Sequence, residues 1–160
     1  MDIKAIDPRQ LRDALGQFPT GVTIVTARNA EGQPVGMTAS SFNTVSLDPP
    51  LVLWSIGKDA ICYQAFTEAE HFAIHVLAAG QSELSNTFAQ KGKDKFAGID
   101  CQSGLHDLPI LPEFAACFQC RIEHRYAGGD HTILVGRVLD FESHDRGPLL
   151  FHRGRYAEIT

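Results

Sequence analysis

The sequence predicts a mainly β protein, a closed antiparallel barrel with a few short helices inserted. Three observations carry that expectation. About six or seven runs rich in Val, Ile, Thr, Phe and Tyr are separated by clusters of Gly, Pro, Asn and Asp, the pattern of strands joined by turns. Two of the longest runs flank Ala127-Gly-Gly-Asp-His131, and paired glycines between such runs mark a hairpin. The helical stretches are all short, and the chain holds no internal repeat or low-complexity tract.

Taken in order, Asp7-Pro8 opens a helix that runs to about Leu15, since Asp is a good N-cap and Pro fits the first helical position. Gly16 and Phe18-Pro19-Thr20-Gly21 close it. The β-branched run Val22 to Ala27 is a strand, and the turn cluster from Asn29 to Pro34 makes the next strand, about Val35 to Asn43, its hairpin partner. Asp48-Pro49-Pro50 leads into the apolar run Leu51 to Ile56, whose first four residues are all large and apolar, as in a fully buried strand. A short helix from about Ala60 to Glu70 precedes the strand Phe72 to Leu77. Ser82 is placed to cap a further helix through Phe88, with Leu84 and Phe88 on one face. Lys91 to Asp107 reads as a charged loop, followed by strands over about Phe114 to Tyr126 and Thr132 to Glu142, and a final hairpin within Leu149 to Ala157.

With 160 residues, 44% of them hydrophobic and ten of them Phe, residues 1–160 are expected to form one domain with its own core and no need of a disulfide or metal. Lys and Arg number 14 against 19 Asp and Glu, a net charge of −5 without any basic face, which argues against nucleic acid or an anionic membrane as partner. The N-terminus lacks a signal-peptide core, and no apolar stretch approaches the ~18 residues that span a bilayer. The expected location is cytoplasmic.

Of the cysteines, Cys117 and Cys120 have the spacing of a redox pair but lie in an extended run, where residues three apart point to opposite faces. No second pair completes a zinc site, so Cys62, Cys101, Cys117 and Cys120 are expected as free thiols and no metal is expected. His71 and His75 share a face of a strand and read as a half-exposed pair. Walker, Rossmann and nucleophile-elbow motifs are all missing.

What stands out is the stretch from Pro34 to Ser55. Thr38, Ser40, Ser41 and Ser46 are small hydroxyls around Ala39, where a strand that only filled a core would carry Val, Ile or aromatics. Small side chains let a flat ligand approach the backbone, and hydroxyls donate and accept. The turn after the buried strand, the Lys91/Lys93/Lys95 loop and the Gly-Gly-Asp-His turn add cations and an imidazole. Together they suggest a phosphorylated aromatic cofactor.

Several ordered segments carry a resemblance. Gly16-Gln-Phe-Pro-Thr-Gly-Val-Thr-Ile-Val-Thr26, Pro34-Val-Gly-Met-Thr-Ala-Ser-Ser-Phe42 and Ser46-Leu-Asp-Pro-Pro-Leu-Val-Leu53 resemble the short-chain flavin reductase family, the reductase components of two-component flavin-dependent monooxygenases. Asp94-Lys-Phe-Ala-Gly98, Gly129-Asp-His131 and Pro148 to Tyr156 are similar to later motifs of that family, so the resemblance covers nearly the whole chain. It implies a mainly β, antiparallel, Greek-key-like FMN-binding split β-barrel with a few short helices. It also implies a homodimer that uses NADH, or in some members NADPH, to reduce FMN or FAD for a partner monooxygenase.

By the same resemblance, Gly36, Met37, Thr38, Ser40 and Ser41 lie against the flavin ring, and Ser55, Ile56, Gly57 and Lys58 hold its ribityl and phosphate end. Cys62 stands where a small hydroxyl is usual, Ala60 where Ser is frequent, and Asn86 and Thr87 where Arg is common. Cys62, Asn86, Lys95 and Phe96 complete the flavin set. His131, Arg153, Gly154 and Tyr156 fall near the nicotinamide, with His131 as the catalytic candidate that orients the carboxamide. Two rivals remain: an FMN-binding electron-transfer or sensor module that never turns over NADH, and an oxidase of the pyridoxamine-phosphate type.

Overall fold

The computed structural model describes residues 3–92 and 94–159. Helix α1 (Pro8–Leu15) starts where the sequence predicts: Asp7 accepts from the Arg9 amide at 2.9 Å, and Pro8 occupies the first turn. Strands β1 (Thr20–Gly21) and β2 (Thr23–Arg28) follow, then β3 (Pro34–Ala39), β4 (Asn43–Leu47) and β5 (Pro50–Gly57). Helix α2 (Tyr63–Glu68), strand β6 (His71–Val76) and helix α3 (Ser82–Ala89) come next. Beyond them lie β7 (Gln102–Ser103), a 3-10 turn (Leu105–Asp107) and β8 (Pro109–Ile110). The long strands β9 (Ala116–Gly128) and β10 (His131–Ser143) precede the hairpin β11 (Leu149–His152) and β12 (Arg155–Glu158).

The main sheet has seven strands in the order β3-β2-β6-β9-β10-β5-β4, with every pair antiparallel. Its edges, β3 and β4, are joined only by Ser40, Ser41 and Phe42, a link that reaches at most about 14 Å. Laid flat, seven strands would hold their edges about 29 Å apart, at ~4.8 Å per step. The sheet must therefore curl until the edges nearly meet. No ladder joins β3 to β4, so the barrel is split and not closed as its strand pattern suggested. The link is tied to β5 by a side chain that continues the β4–β5 register: Ser41 Oγ accepts from the Ser55 amide at 2.9 Å and donates to the Ser55 carbonyl at 3.1 Å.

Several sequence expectations change. The strand expected over 35–43 ends at Ala39: Ser40 to Phe42 leave the β2 ladder and cross to the opposite edge, where β4, a strand the sequence did not mark, begins at Asn43. The Leu51–Trp54 run is only half-buried: Val52, Trp54 and Ile56 face the core while Leu51, Leu53 and Ser55 alternate outward. Gln81, not Ser82, occupies the N-cap of α3; its side chain accepts from the Ala78 amide and donates to the Glu113 carbonyl. The 91–107 loop contains β7, whose short ladder with β8 is closed by the 3-10 turn. The β9–β10 hairpin turns through Gly129 and Asp130, with Gly129 at φ +70°, the left-handed conformation for which glycine is suited.

Inside the barrel, Trp54 stands edge-on to Phe66 and Phe72, with ring centroids 5.0 and 6.1 Å away, among Val25, Ile74 and Leu134. A second core of Val22, Ile24, Leu77, Phe88, Leu111 and Leu149 lies under α3 and the C-terminal hairpin, which forms a three-stranded sheet in the order β1-β11-β12. Cys120 packs in the first core and Cys117 in a third one around Phe114, so the two thiols do point apart. Burial pushes both up to about 12, and all four cysteines are free. His75 is fully buried, not half-exposed: Nδ1 lies 3.0 Å from the Ile24 carbonyl and Nε2 accepts from the Leu111 amide at 3.1 Å. His71 stacks on His106 at 3.8 Å. Among the described residues no helix is long and apolar enough to cross a membrane, and no cluster of three or more His, Cys, Asp or Glu could hold a metal.

Candidate functional site

As an edge strand, β3 has backbone groups that no neighbouring strand uses. The Gly36 carbonyl is turned outward and accepts from Lys95 Nζ at 3.0 Å; the same ammonium donates to the Phe88 carbonyl at 2.9 Å. An ammonium carries three N–H donors, so one remains for a ligand. Burial lowers the Lys95 pKa from its ordinary value, with Cys62 pulling the other way.

Between this edge, the end of α3, the 90–96 loop and residues 60–62 lies a slot of about 340 Å³, within the size range of small-molecule sites. Gly36, Met37, Thr38, Cys62, Lys95 and Phe96, all singled out from the sequence, line it. Cys62 Sγ sits 3.6 Å from Met37 Sδ, and burial raises its pKa against the opposing pull of Lys95, so it is a neutral thiol in the wall. Lys93 lies outside the described residues.

Gly36 makes room for the slot's aromatic wall. A Cβ there would fall 2.7 Å from Phe88 Cε1 and 3.1 Å from Phe96 Cζ. Its missing side chain admits these two rings, which meet edge to face at 5.0 Å, and the rings in turn shape the slot. Ser41 and the Ser55 backbone are occupied with each other, and the Ile56 side chain is buried in the core. Ser40 is exposed and lies off the slot.

A second group forms where β5 meets β10. His131 pairs with Gly57, and the Lys58 amide donates to the Asp130 carbonyl at 2.9 Å. His131 Nδ1 lies 2.7 Å from Asp130 Oδ1, which holds that carboxyl below its usual range. With Nδ1–H given to the carboxylate, the neutral ring keeps Nε2 as an acceptor. From Lys58 the chain runs within two residues to Ala60, at the rim of the slot.

A third group gathers at the C-terminal hairpin. Tyr156 Oη donates to Asn86 Oδ1 at 2.9 Å, and Arg153, at φ +51°, places its guanidinium on Gln17 Oε1 at 2.7 Å. Gly154, at φ +76°, completes the β11–β12 turn. The residues expected around a nicotinamide are thus divided between two places, and among the described residues no hydrogen bond links His131 to Arg153 or Tyr156.

The sequence reading missed the walls contributed by Val35, Ile61 and Phe88, and the bond of 2.6 Å between Tyr63 Oη and Thr132 Oγ1 that ties α2 to β10. Phe88 had a signal, its position four residues after Leu84, but that pattern reads as core, and Phe88 serves as both core and wall.

Fold and slot together define a class: a split antiparallel barrel built around a cofactor-sized opening beside one sheet edge. The chain belongs to the flavin reductase-like domain family, whose model matches residues 15–160. It is 47% identical to the NADH-dependent FMN reductase SmoA of Agrobacterium fabrum, over 95% of this chain and 86% of that protein. It is 42% identical to the reductase subunit HsaB of a Rhodococcus jostii flavin-dependent monooxygenase, over 98% and 80% of the two chains. Its structure is similar to that of the Streptomyces globisporus NADH:FAD oxidoreductase SgcE6 in complex with NAD and FAD fragments, with a TM-score of 0.90, 40% identity and coverage of 99% and 98%. The chain spans 50% of the length of another relative, a 46% identical protein of Rhizobium meliloti.

Proposed function

We propose that this chain is an NAD(P)H:flavin oxidoreductase, which moves a hydride from NADH to FMN or FAD and supplies reduced flavin to a partner monooxygenase. The observation that carries the proposal is the slot beside β3: an open sheet edge, apolar walls and a held ammonium in one cavity. These residues fit a flavin. The outward backbone edge at Gly36 and Thr38 suits the polar rim of an isoalloxazine ring, while Val35, Ile61 and Phe96 suit its faces. When bound, flavin and nicotinamide supply the hydride chemistry between nicotinamide C4 and flavin N5.

The chain's own contribution is position. Met37, Cys62 and Phe96 exclude water from one side of the slot, and Lys95 offers its remaining N–H to an electron-rich ring edge or a phosphate. His131, its Nδ1 fixed by Asp130, presents Nε2 to a carboxamide N–H. Arg153, Gly154 and Tyr156 border the nicotinamide side, and Ser55 to Lys58 with Asn86 the ribityl and phosphate side. Holding two flat rings in near-attack geometry is worth about 7–11 kcal/mol of barrier, so no separate acid or base is required.

Residues 1–160 act as one domain, and a second copy of the chain covers the apolar groove of about 370 Å³ around Phe42, Leu47, Phe118 and Phe141. Leu47 is 95% exposed and Phe141 66%, large apolar surfaces on an edge strand and a long arm. Sedimentation should give a dimer, and a monomer at micromolar concentration would remove that part. The functional test is NADH oxidation at 340 nm, a property of the coenzyme, with FMN, FAD or riboflavin added. Turnover that depends on added flavin supports a reductase. A tightly held flavin that NADH cannot bleach would instead make the chain a binding or electron-transfer module.

A further inference from the structure

Ser85, on α3, is fully buried and ties two parts of the molecule together. Its carbonyl accepts from Thr38 Oγ1 at 2.6 Å, and its hydroxyl lies 2.7 Å from Tyr156 Oη. The same phenol oxygen lies 2.9 Å from Asn86 Oδ1. An amide oxygen only accepts, so the phenol proton goes to Asn86 and the Ser85 hydroxyl donates to Tyr156. The Thr38 proton is committed to the Ser85 carbonyl, which leaves only acceptor lone pairs on Thr38 Oγ1 in the wall of the slot.

Tyr156 belongs to the β11–β12 hairpin, where its ring meets Phe151 edge to face at 5.5 Å. The tip of that hairpin is held at Arg153, whose amide donates to the Gly16 carbonyl at 3.0 Å and whose side chain binds Gln17. Beside its ladder with β1 and the bonds of Leu149 to Leu77 and of Glu158 to Gly80, the hairpin is thus held at its tip and on α3. The α3 mooring is one residue away, through the Ser85 backbone, from the floor of the slot.

We infer that Ser85 is a positioning residue that couples the slot floor to the C-terminal hairpin, its carbonyl fixing Thr38 and its hydroxyl docking Tyr156. Tyr156 then acts through its hydroxyl by holding the hairpin in place beside the nicotinamide. The role rests on the reading above, in which the slot holds flavin and the hairpin borders NADH.

Ser85→Ala deletes the hydroxyl but keeps the carbonyl that holds Thr38, whereas Tyr156→Phe deletes the other end of that bond and the bond to Asn86 as well. Ser85→Ala should raise the NADH KM about fivefold, the loss expected from one hydrogen bond, and Tyr156→Phe, which loses two, by at least as much. The kcat at saturating NADH and the flavin Kd, read from quenching of flavin fluorescence, should stay within about twofold. The double variant should be no worse than Tyr156→Phe alone, since that change already breaks the Ser85–Tyr156 bond. Additive KM effects, an unchanged NADH KM in both singles, or a flavin Kd that moves as far as the KM would each overturn the role. If Ser85→Ala does not fold, Tyr156→Phe decides by the same KM and Kd criteria. A wild-type chain that oxidises no NADH with any flavin refutes the reading of the site and this role with it, whereas an active wild type with unaffected variants refutes the role alone.

Discussion

Replacing Gly36 by Ala adds one methyl group at the point where the slot's aromatic wall meets its floor. That carbon would stand 2.7 and 2.9 Å from two atoms of Phe88 and 3.1 Å from Phe96 Cζ, well inside ordinary carbon–carbon contact. Phe88 is fully buried and cannot swing into solvent, so the strain falls on β3 or on Phe96, which is only half-buried. Overpacking of this kind costs about 1–3 kcal/mol, a loss of roughly 2–12 °C in Tm for a domain of this size. Pushing Phe96 outward narrows the slot and shifts the Gly36 carbonyl that Lys95 binds. Flavin affinity should therefore fall with stability, by about tenfold if some 1.4 kcal/mol of the strain is relieved only when the slot is empty. Differential scanning calorimetry and a fluorescence titration with FMN read the two effects. A Gly36→Ala variant with wild-type Tm and wild-type flavin affinity would refute the packing account of this glycine.

Three further outcomes follow from the same geometry. Burial lowers the His75 pKa from 6.5 to about 4, so between these values the unfolded chain binds a proton that the folded one refuses. The stability it contributes is present above about pH 6.5 and is lost as pH falls toward 4, up to about 3 kcal/mol; denaturant midpoints from pH 7.5 to 4.5 should fall less steeply in His75→Gln than in wild type, and equal slopes would refute it. Lys95→Met removes two hydrogen bonds to backbone carbonyls and the slot's ammonium, and should weaken flavin binding by about ten- to a hundredfold, the worth of a charge-assisted bond; an unchanged Kd would rule Lys95 out as a ligand. His131→Ala should raise the NADH KM or slow flavin reduction while leaving flavin affinity nearly intact, and stopped-flow traces identical to wild type at every NADH concentration would eliminate the role assigned to its Nε2.

The strand pattern was legible because period-two alternation and turn residues are local properties. The Gly129–Asp130 hairpin, the Asp7 cap and the separation of Cys117 from Cys120 all came from neighbours in sequence. The break at Ser40 was not, since the alternation continues through it, and only the placement of β3 and β4 on opposite edges reveals that the chain changes partners there. The slot was half legible. Small residues and a lysine loop marked its floor and rim, but the missing side chain of Gly36 is filled by Phe88 and Phe96 from distant segments, a packing relation that no local pattern contains. Ser41 likewise looked like a ligand group, but its hydroxyl is taken by the backbone of Ser55 on β5, a partner 14 residues away. His75 seemed half-exposed because the strand's alternation does not show that residues 108–111 cover its outer face.

Whether the slot beside β3 holds the flavin ring is decided by a crystal structure of the chain soaked with FMN. Density for the ring should lie along Gly36 to Thr38, with Phe96 and Cys62 at its sides and Lys95 Nζ within hydrogen-bond reach of the ligand. Density for the ring in the groove around Phe42 and Phe141, or anywhere away from the β3 edge, would contradict it.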